Sequence, residues 1–187
     1  MDYFTADWHI GEKQAPETHT FLRQQPTEKM IEQWLQGCRD VLTSKDRLIC
    51  LGDMVLSPDY FAVLKSLPKC KNKILVLGDK ELQFNRLLIL EKAQAAGFSA
   101  VVNTWVLPIA GRDWFLSHKP SDCHNQGLPA LCGHVHGIWR SQRMPNGQPI
   151  INVGIDAWGG LVSETFIAHQ YEAVTKYYDD EALLSRP

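Results

Sequence analysis

The chain has 187 residues, 44% of them hydrophobic, enough for a real core, so one compact domain over 1–187 is the expectation. Thirteen glycines and ten prolines are close to average usage and exclude collagen-like, low-complexity and disordered classes. A formal net charge of -2 excludes whole-molecule attraction to nucleic acid or an anionic membrane.

In chain order, residues 3–6 predict a strand and 27–42 a helix, with Thr27 as its cap and Met30, Ile31, Trp34, Leu35 and Cys38 on one face. Residues 47–51 predict an apolar strand, 59–67 a brief helix, 73–77 a buried strand, and 81–96 a long helix closed by Gly97. This βαβαβα order argues a parallel sheet. Residues 93–111 carry no charge, but Gly97, Asn103 and Pro108 divide them into a helix end, a turn and a strand, not a membrane span. The second half changes character. Residues 105–109 and 113–117 flank Ala110-Gly111-Arg112 as a hairpin, and short strands are expected near Ala130, Trp139, Ile150 and Phe166. A polar helix over 171–184 ends the chain. No secretory leader is legible at the N-terminus, and Cys38, Cys50, Cys70, Cys123 and Cys132 form no C-x-x-C pair. Reduced thiols in a cytoplasmic protein are therefore expected.

The chemistry-bearing residues recur where predicted strands run out into loops: Asp7-x-His9, Gly52-Asp53, Gly78-Asp79, Ser117-His118 and Gly133-His134-Val135-His136. Strand ends of an open α/β sheet converge on a crevice. Extended backbone would point the two ligands of D-x-H and of H-x-H to one side. Carboxylates with imidazoles, and no thiolates, suit Mn, Fe or Zn. Seven such ligands are too many for one four-coordinate ion and fit two ions sharing a bridge. Four of the seven histidines fall in this ordered set, while His19, His124 and His169 match no part of it.

With these motifs, residues 3–158 resemble the calcineurin-like metallophosphoesterases, above all the small single-domain bacterial and phage members, which share an N-V-G-x-D stretch like 152–156. The resemblance implies a four-layer α/β/β/α sandwich, two mixed sheets flanked by helices. It implies Asp7, His9 and His136 on a first ion, Asp53 bridging, and Asp79, His118 and His134 on a second. It also implies hydrolysis of a small phosphodiester or phosphomonoester by a hydroxide held between two divalent ions, with Mn the expected assay metal and Fe, Zn or Ni as alternatives. The motif that is normally Gly-Asn-His-Asp/Glu here reads Gly78-Asp79-Lys80-Glu81. An unperturbed Lys titrates about four units above His, which makes Lys80 a poorer acid for the leaving oxygen. Nearby cations would lower it; alternatively Lys80 clamps the phosphoryl charge, or pairs with Asp79 and keeps the second ion out. The alternative to catalysis is a non-catalytic scaffold of this fold, its chemistry weakened by Lys80 in place of the usual His, which could take a protein partner; a Lys80–Asp79 pair would favour it.

Arg140 and Arg143, just beyond G-H-V-H, are candidate contacts for substrate phosphate, since the guanidinium fork matches that group. Trp8, Trp139 and Trp158 are candidates either to stack a ring or to form core and wall. Lys65, Lys69, Lys71 and Lys73 read as a solvated loop, and Glu12 stands where small relatives often have His. The partner expected is a small phosphorylated substrate, with neither a membrane nor a nucleic acid.

Overall fold

A computed structural model describes residues 1–12 and 27–177. Two five-stranded mixed sheets pack as a sandwich. The first, in the order β10-β1-β2-β3-β4, holds β1 (Asp2–Thr5), β2 (Arg47–Leu51), β3 (Asn72–Val76) and β4 (Ala100–Val102) in parallel, with β10 (Val162–Ser163) antiparallel at one edge. The second, in the order β5-β6-β7-β9-β8, has a parallel centre of β6 (Arg112–Leu116), β7 (Ala130–Cys132) and β9 (Pro149–Asn152). Antiparallel β5 (Trp105–Ile109) and β8 (Ser141–Arg143) lie at its edges.

Side-chain alternation in the strands sorts the core into layers. Ile49, Leu51, Ile74 and Val76 of the first sheet meet Leu107, Trp114, Leu116, Leu131 and Ile151 of the second. Leu48, Cys50 and Leu75 point the other way, under the helices α1 (Glu28–Val41), α2 (Phe61–Leu64) and α3 (Arg86–Ala95). The outer face of the second sheet buries Phe115, Ala130, Cys132 and Ile150 beneath the 3-10 turn Pro120–Cys123 and loops. After α4 (Ile155–Trp158), α5 (Glu164–Tyr177) packs against the edge strands of both sheets and sends Ile167 into the layer between them.

Several expectations need correction. The helix expected over 81–96 is broken: Glu81–Gln83 is one 3-10 turn, Phe84 is extended, and Asn85 caps α3 by accepting from Leu87 N (2.9 Å) and Leu88 N (3.4 Å). The break follows from Glu81, which is 1% exposed and turned into the strand-end loops described below. Strand β4 went unread because it is only three residues long and not fully buried. Phe166 lies in α5, which starts at Glu164, well before the expected 171; residues 178–184 of the expected helix lie outside the described residues. The strand expected near Trp139 is β8, two residues later. Lys73 is buried, not solvated, and its ammonium donates to Ala96 O (3.1 Å) at the end of α3. All five cysteines are free thiols. Among the described residues no helix is long and apolar enough to cross a membrane.

Candidate metal centre

The parallel strands of both sheets deliver their C-terminal ends to one place. Asp7 and His9 follow β1, Asp53 follows β2, Asp79 follows β3, His118 follows β6, and His134 and His136 follow β7. Backbone bonds lock these loops together: Asp7 N donates to Gly52 O (3.0 Å), His9 N to Asp53 O (2.9 Å), Gly133 N to His118 O (3.0 Å) and Ile155 N to Ala6 O (2.9 Å). The last of these, with the Ala6–Gly154 bridge, stitches one sheet to the other. The Leu-Gly-Asp turns that follow β2 and β3 also touch. A Cβ on Gly52, whose φ is +84°, would lie 2.5 Å from Gly78 Cα, and a Cβ on Gly78 would overlap Asp53 N and Oδ1. Only glycine lets the β2 and β3 loops approach this closely.

The D-x-H and H-x-H pairs reach one site by a route other than extended backbone. Asp7 (φ 61°), His9 (47°), Asp53 (51°), His134 (73°) and His136 (48°) are all left-handed, and among the described residues the one other non-glycine with positive φ is Ala110, in the β5–β6 hairpin. Each such residue costs about 1–2 kcal/mol. Five of seven candidate ligands therefore sit on strained backbone, the kind of strain that persists where function needs it.

Ligand atoms fall into groups within 4.8 Å of one another: Asp7, His9 and His136; Asp79, His118 and His134; and Asp7, Asp53 and His118. Asp53 Oδ2 lies between the first two, 3.4 Å from His9 Nε2 and 3.5 Å from His118 Nε2. Imidazoles pair within each group, with ring centroids 5.0 Å apart for His9–His136 and 5.3 Å for His118–His134.

The surroundings orient these groups. His118 Nδ1 is 2.8 Å from Leu51 O, and His136 Nδ1 is 2.7 Å from Asp156 Oδ2. Each Nδ1–H donates outward, which leaves Nε2 as the ligand atom. His134 N donates to both oxygens of Asp7 (3.1 and 3.0 Å), and Lys80 N donates to Asp53 Oδ1 (2.8 Å). Glu81 accepts from Asp53 N (2.9 Å), Met54 N (2.8 Å), Val55 N (3.3 Å) and Gly78 N (3.0 Å), so one carboxylate ties two ligand loops. Asn152 donates to His136 O (2.6 Å) and Trp139 O (2.8 Å). Asp156 and Asn152 were visible in the sequence only as part of N-V-G-x-D. Their partners lie too far along the chain for spacing to reveal the contact.

Burial pushes the Asp7 carboxyl up to about 6, against the pull of His118 and His136. Burial would push Asp53 up too, but His118, the Lys80 N–H and His9 outweigh it and hold Asp53 well below the usual carboxylate range. For His118 burial is outweighed by Asp53 and Asp7, which raise it to about 9; burial and His118 lower His134. Crowded carboxylates are thus balanced here by imidazolium charge, the balance a divalent cation supplies without protons. His118 Nε2 is buried without a hydrogen bond and faces Asp53, so oxygen and nitrogen donors point inward at both groups. This donor set fits divalent ions.

The other expected residues have contacts of their own. Arg140 donates to Ala157 O (2.8 Å) and stacks on Trp158, 4.9 Å from its centroid. Arg143 donates to Val174 O (3.1 Å) and Thr175 O (3.2 Å) in the last turns of α5. Trp8 is wholly buried, bonded to Thr5 Oγ1 (2.8 Å) and packed on Trp34; Trp139 and Trp158 pack on the cores. The Glu12 carboxylate is 3.9 Å from His9 Nδ1. Asp79 pairs with Lys119 at 2.6 Å and with His134 at 3.3 Å, so its cationic partner is not Lys80. His19 lies outside the described residues.

Fold and site together define a two-sheet α/β sandwich with a candidate metal centre at its strand ends. A protein of unknown function from Aquifex aeolicus has the same fold, with TM-score 0.65 and 20% identity over 91% of this chain and 98% of its own. A novel archaeal phosphodiesterase also superposes, with TM-score 0.54 and 17% identity over 84% of this chain and 86% of its own. No family model and no curated protein matches the sequence.

Proposed function

We propose that this chain is a metal-dependent phosphoesterase that hydrolyses a small phosphodiester or phosphomonoester. The observation that carries the reading is the convergence of seven oxygen- and nitrogen-donor side chains at the strand ends of both sheets, five of them on left-handed backbone. The fold shared with an archaeal phosphodiesterase supports it. Asp7, His9 and His136 would hold one ion and Asp79, His118 and His134 a second, with Asp53 as the bridge; Mn is the assay metal of choice, with Fe, Zn or Ni as alternatives. Two such cations supply Lewis acidity toward a phosphoryl group and lower the pKa of water at neutral pH.

The chain's own residues do the positioning. Lys80 N and the Glu81 clamp fix Asp53, while Leu51 O and Asp156 set the tautomers of His118 and His136. Lys80, half-buried on the loop that touches Asp53, is assigned to the transferring phosphoryl group or its leaving oxygen.

The test is the initial rate on an aryl phosphodiester with Mn²⁺, wild type against Asp53→Asn. An aryl leaving group needs little protonation, so the assay tolerates a weak acid at position 80. Wild-type turnover is expected, with at least about a hundredfold loss in Asp53→Asn. Full metal content and full activity in the variant would sink the reading. Absence of wild-type turnover would put the scaffold in its place.

A further inference from the structure

We infer that the Lys119 ammonium acts as an internal cation on the Asp79 carboxylate, which an ion entering the Asp79–His118–His134 group must displace, so that the two groups fill in order. The inference rests on the two-ion reading above and deepens it.

The two groups differ in how they are built. Side chains of Asp7, His9 and His136 are 0%, 5% and 7% exposed, while in the other group His118 is 3% exposed but Asp79 is 30% and His134 44%. Among the described residues Asp7 and Asp53 find their ion-pair partners in histidines, which become neutral ligands by losing a proton. Asp79 faces a different competitor. Its Oδ1 is 2.6 Å from Lys119 Nζ and its Oδ2 is 3.3 Å from His134 Nδ1, so both oxygens are engaged.

Lys119 is also held near. It follows His118 directly, its carbonyl accepts from Asp122 N (3.3 Å), and Ser117 Oγ donates to Asp122 Oδ2 (2.9 Å) across the same turn. The ammonium therefore starts each encounter beside Asp79. An ammonium and a divalent ion on one carboxylate repel each other, so the ion enters only as the ammonium leaves. The ammonium has somewhere to go: Lys119 itself lines a cavity of about 250 Å³, together with Asp79, His118, Asn103, Ser117 and Asp122. Asp122 can take it as a new partner.

The experiment is a calorimetric Mn²⁺ titration of the metal-free full chain, for wild type, Lys119→Gln and Lys119→Arg. Wild type is expected to bind two ions, the second more weakly. Lys119→Gln should tighten the second by about three- to tenfold, the worth of a half-exposed ion pair plus the lost repulsion, and leave the first within twofold. Lys119→Arg, which keeps the charge, should behave as wild type. Two ions bound with unchanged constants in Lys119→Gln would overturn the inference and leave the metal centre standing. A wild type that binds no Mn²⁺ would overturn both together.

Discussion

An imidazole is a good ligand only when its proton sits on the far nitrogen, and Asp156 secures that for His136 from 2.7 Å. His118 gets the same service from a weaker acceptor, the carbonyl of Leu51. The contrast makes Asp156 the residue whose loss should be felt at the first group alone. Asp156→Asn is expected to weaken the tighter Mn²⁺ constant by about ten- to a hundredfold, with the second constant and the thermal midpoint little changed. Titration calorimetry with a melting curve decides it; an unchanged first constant would mean that a neutral amide oxygen at position 156 accepts the Nδ1–H as well as the carboxylate does. The ligands themselves were legible because motif and strand end coincide in sequence. Asp156, Glu81 and Lys119 act across loops, through contacts that exist only after the two sheets have packed.

At the scale of elements, the break between Gln83 and Arg86 shows a local preference yielding to the site. Glu81-Leu82-Gln83 favours helix, yet a continuous helix from Glu81 would have to keep the carboxylate on its own face, away from the four amides it serves. The chain ends its 3-10 turn at Gln83, extends at Phe84 and begins again at Asn85, whose side chain takes the first free amides of α3. Asn85→Ala should therefore cost about 1 kcal/mol in urea unfolding, with Mn²⁺ affinity unchanged, because the cap serves α3 and Glu81 serves the site. A loss of metal affinity in that variant would mean that break and clamp are one device. Sequence patterning found α1 because one face of it is apolar at a helical period, β1, β2 and β3 as short apolar runs, and the β5–β6 hairpin by the turn between two such runs. It failed at β4, too short to show a period, and at the start of α5, where Thr165, Phe166 and Ile167 read as strand although the helix has begun. Likewise D-x-H suggested extended backbone, while the chain reaches the same convergence by left-handed kinks at both ligand positions.

At the scale of the whole molecule, the strand ends carry a large share of the buried charge, so the site and the stability of the fold are linked. In the metal-free chain His118 is raised to about 9 from an ordinary 6.5, because Asp53 and Asp7 outweigh its burial. A folded-state pKa above the unfolded one means stabilisation that is complete below about pH 6.5 and lost as pH climbs through about 9. Asp7, raised to about 6 from 3.8 by burial, acts in the same sense at lower pH: the fold prefers its protonated form, and stability falls between those two values. The metal-free protein should therefore lose on the order of 3 kcal/mol between pH 6.5 and 9, read from urea midpoints after chelation. Saturating Mn²⁺ should raise the curve and flatten it, since an ion takes the place of the proton on His118 and adds counter-charge at Asp7. His118→Gln should remove most of the slope without metal. A metal-free curve that stays level or rises over that window would mean that the carboxylates at the strand ends are balanced by something other than the His118 proton, and the account of how this sandwich tolerates its buried acids would have to change.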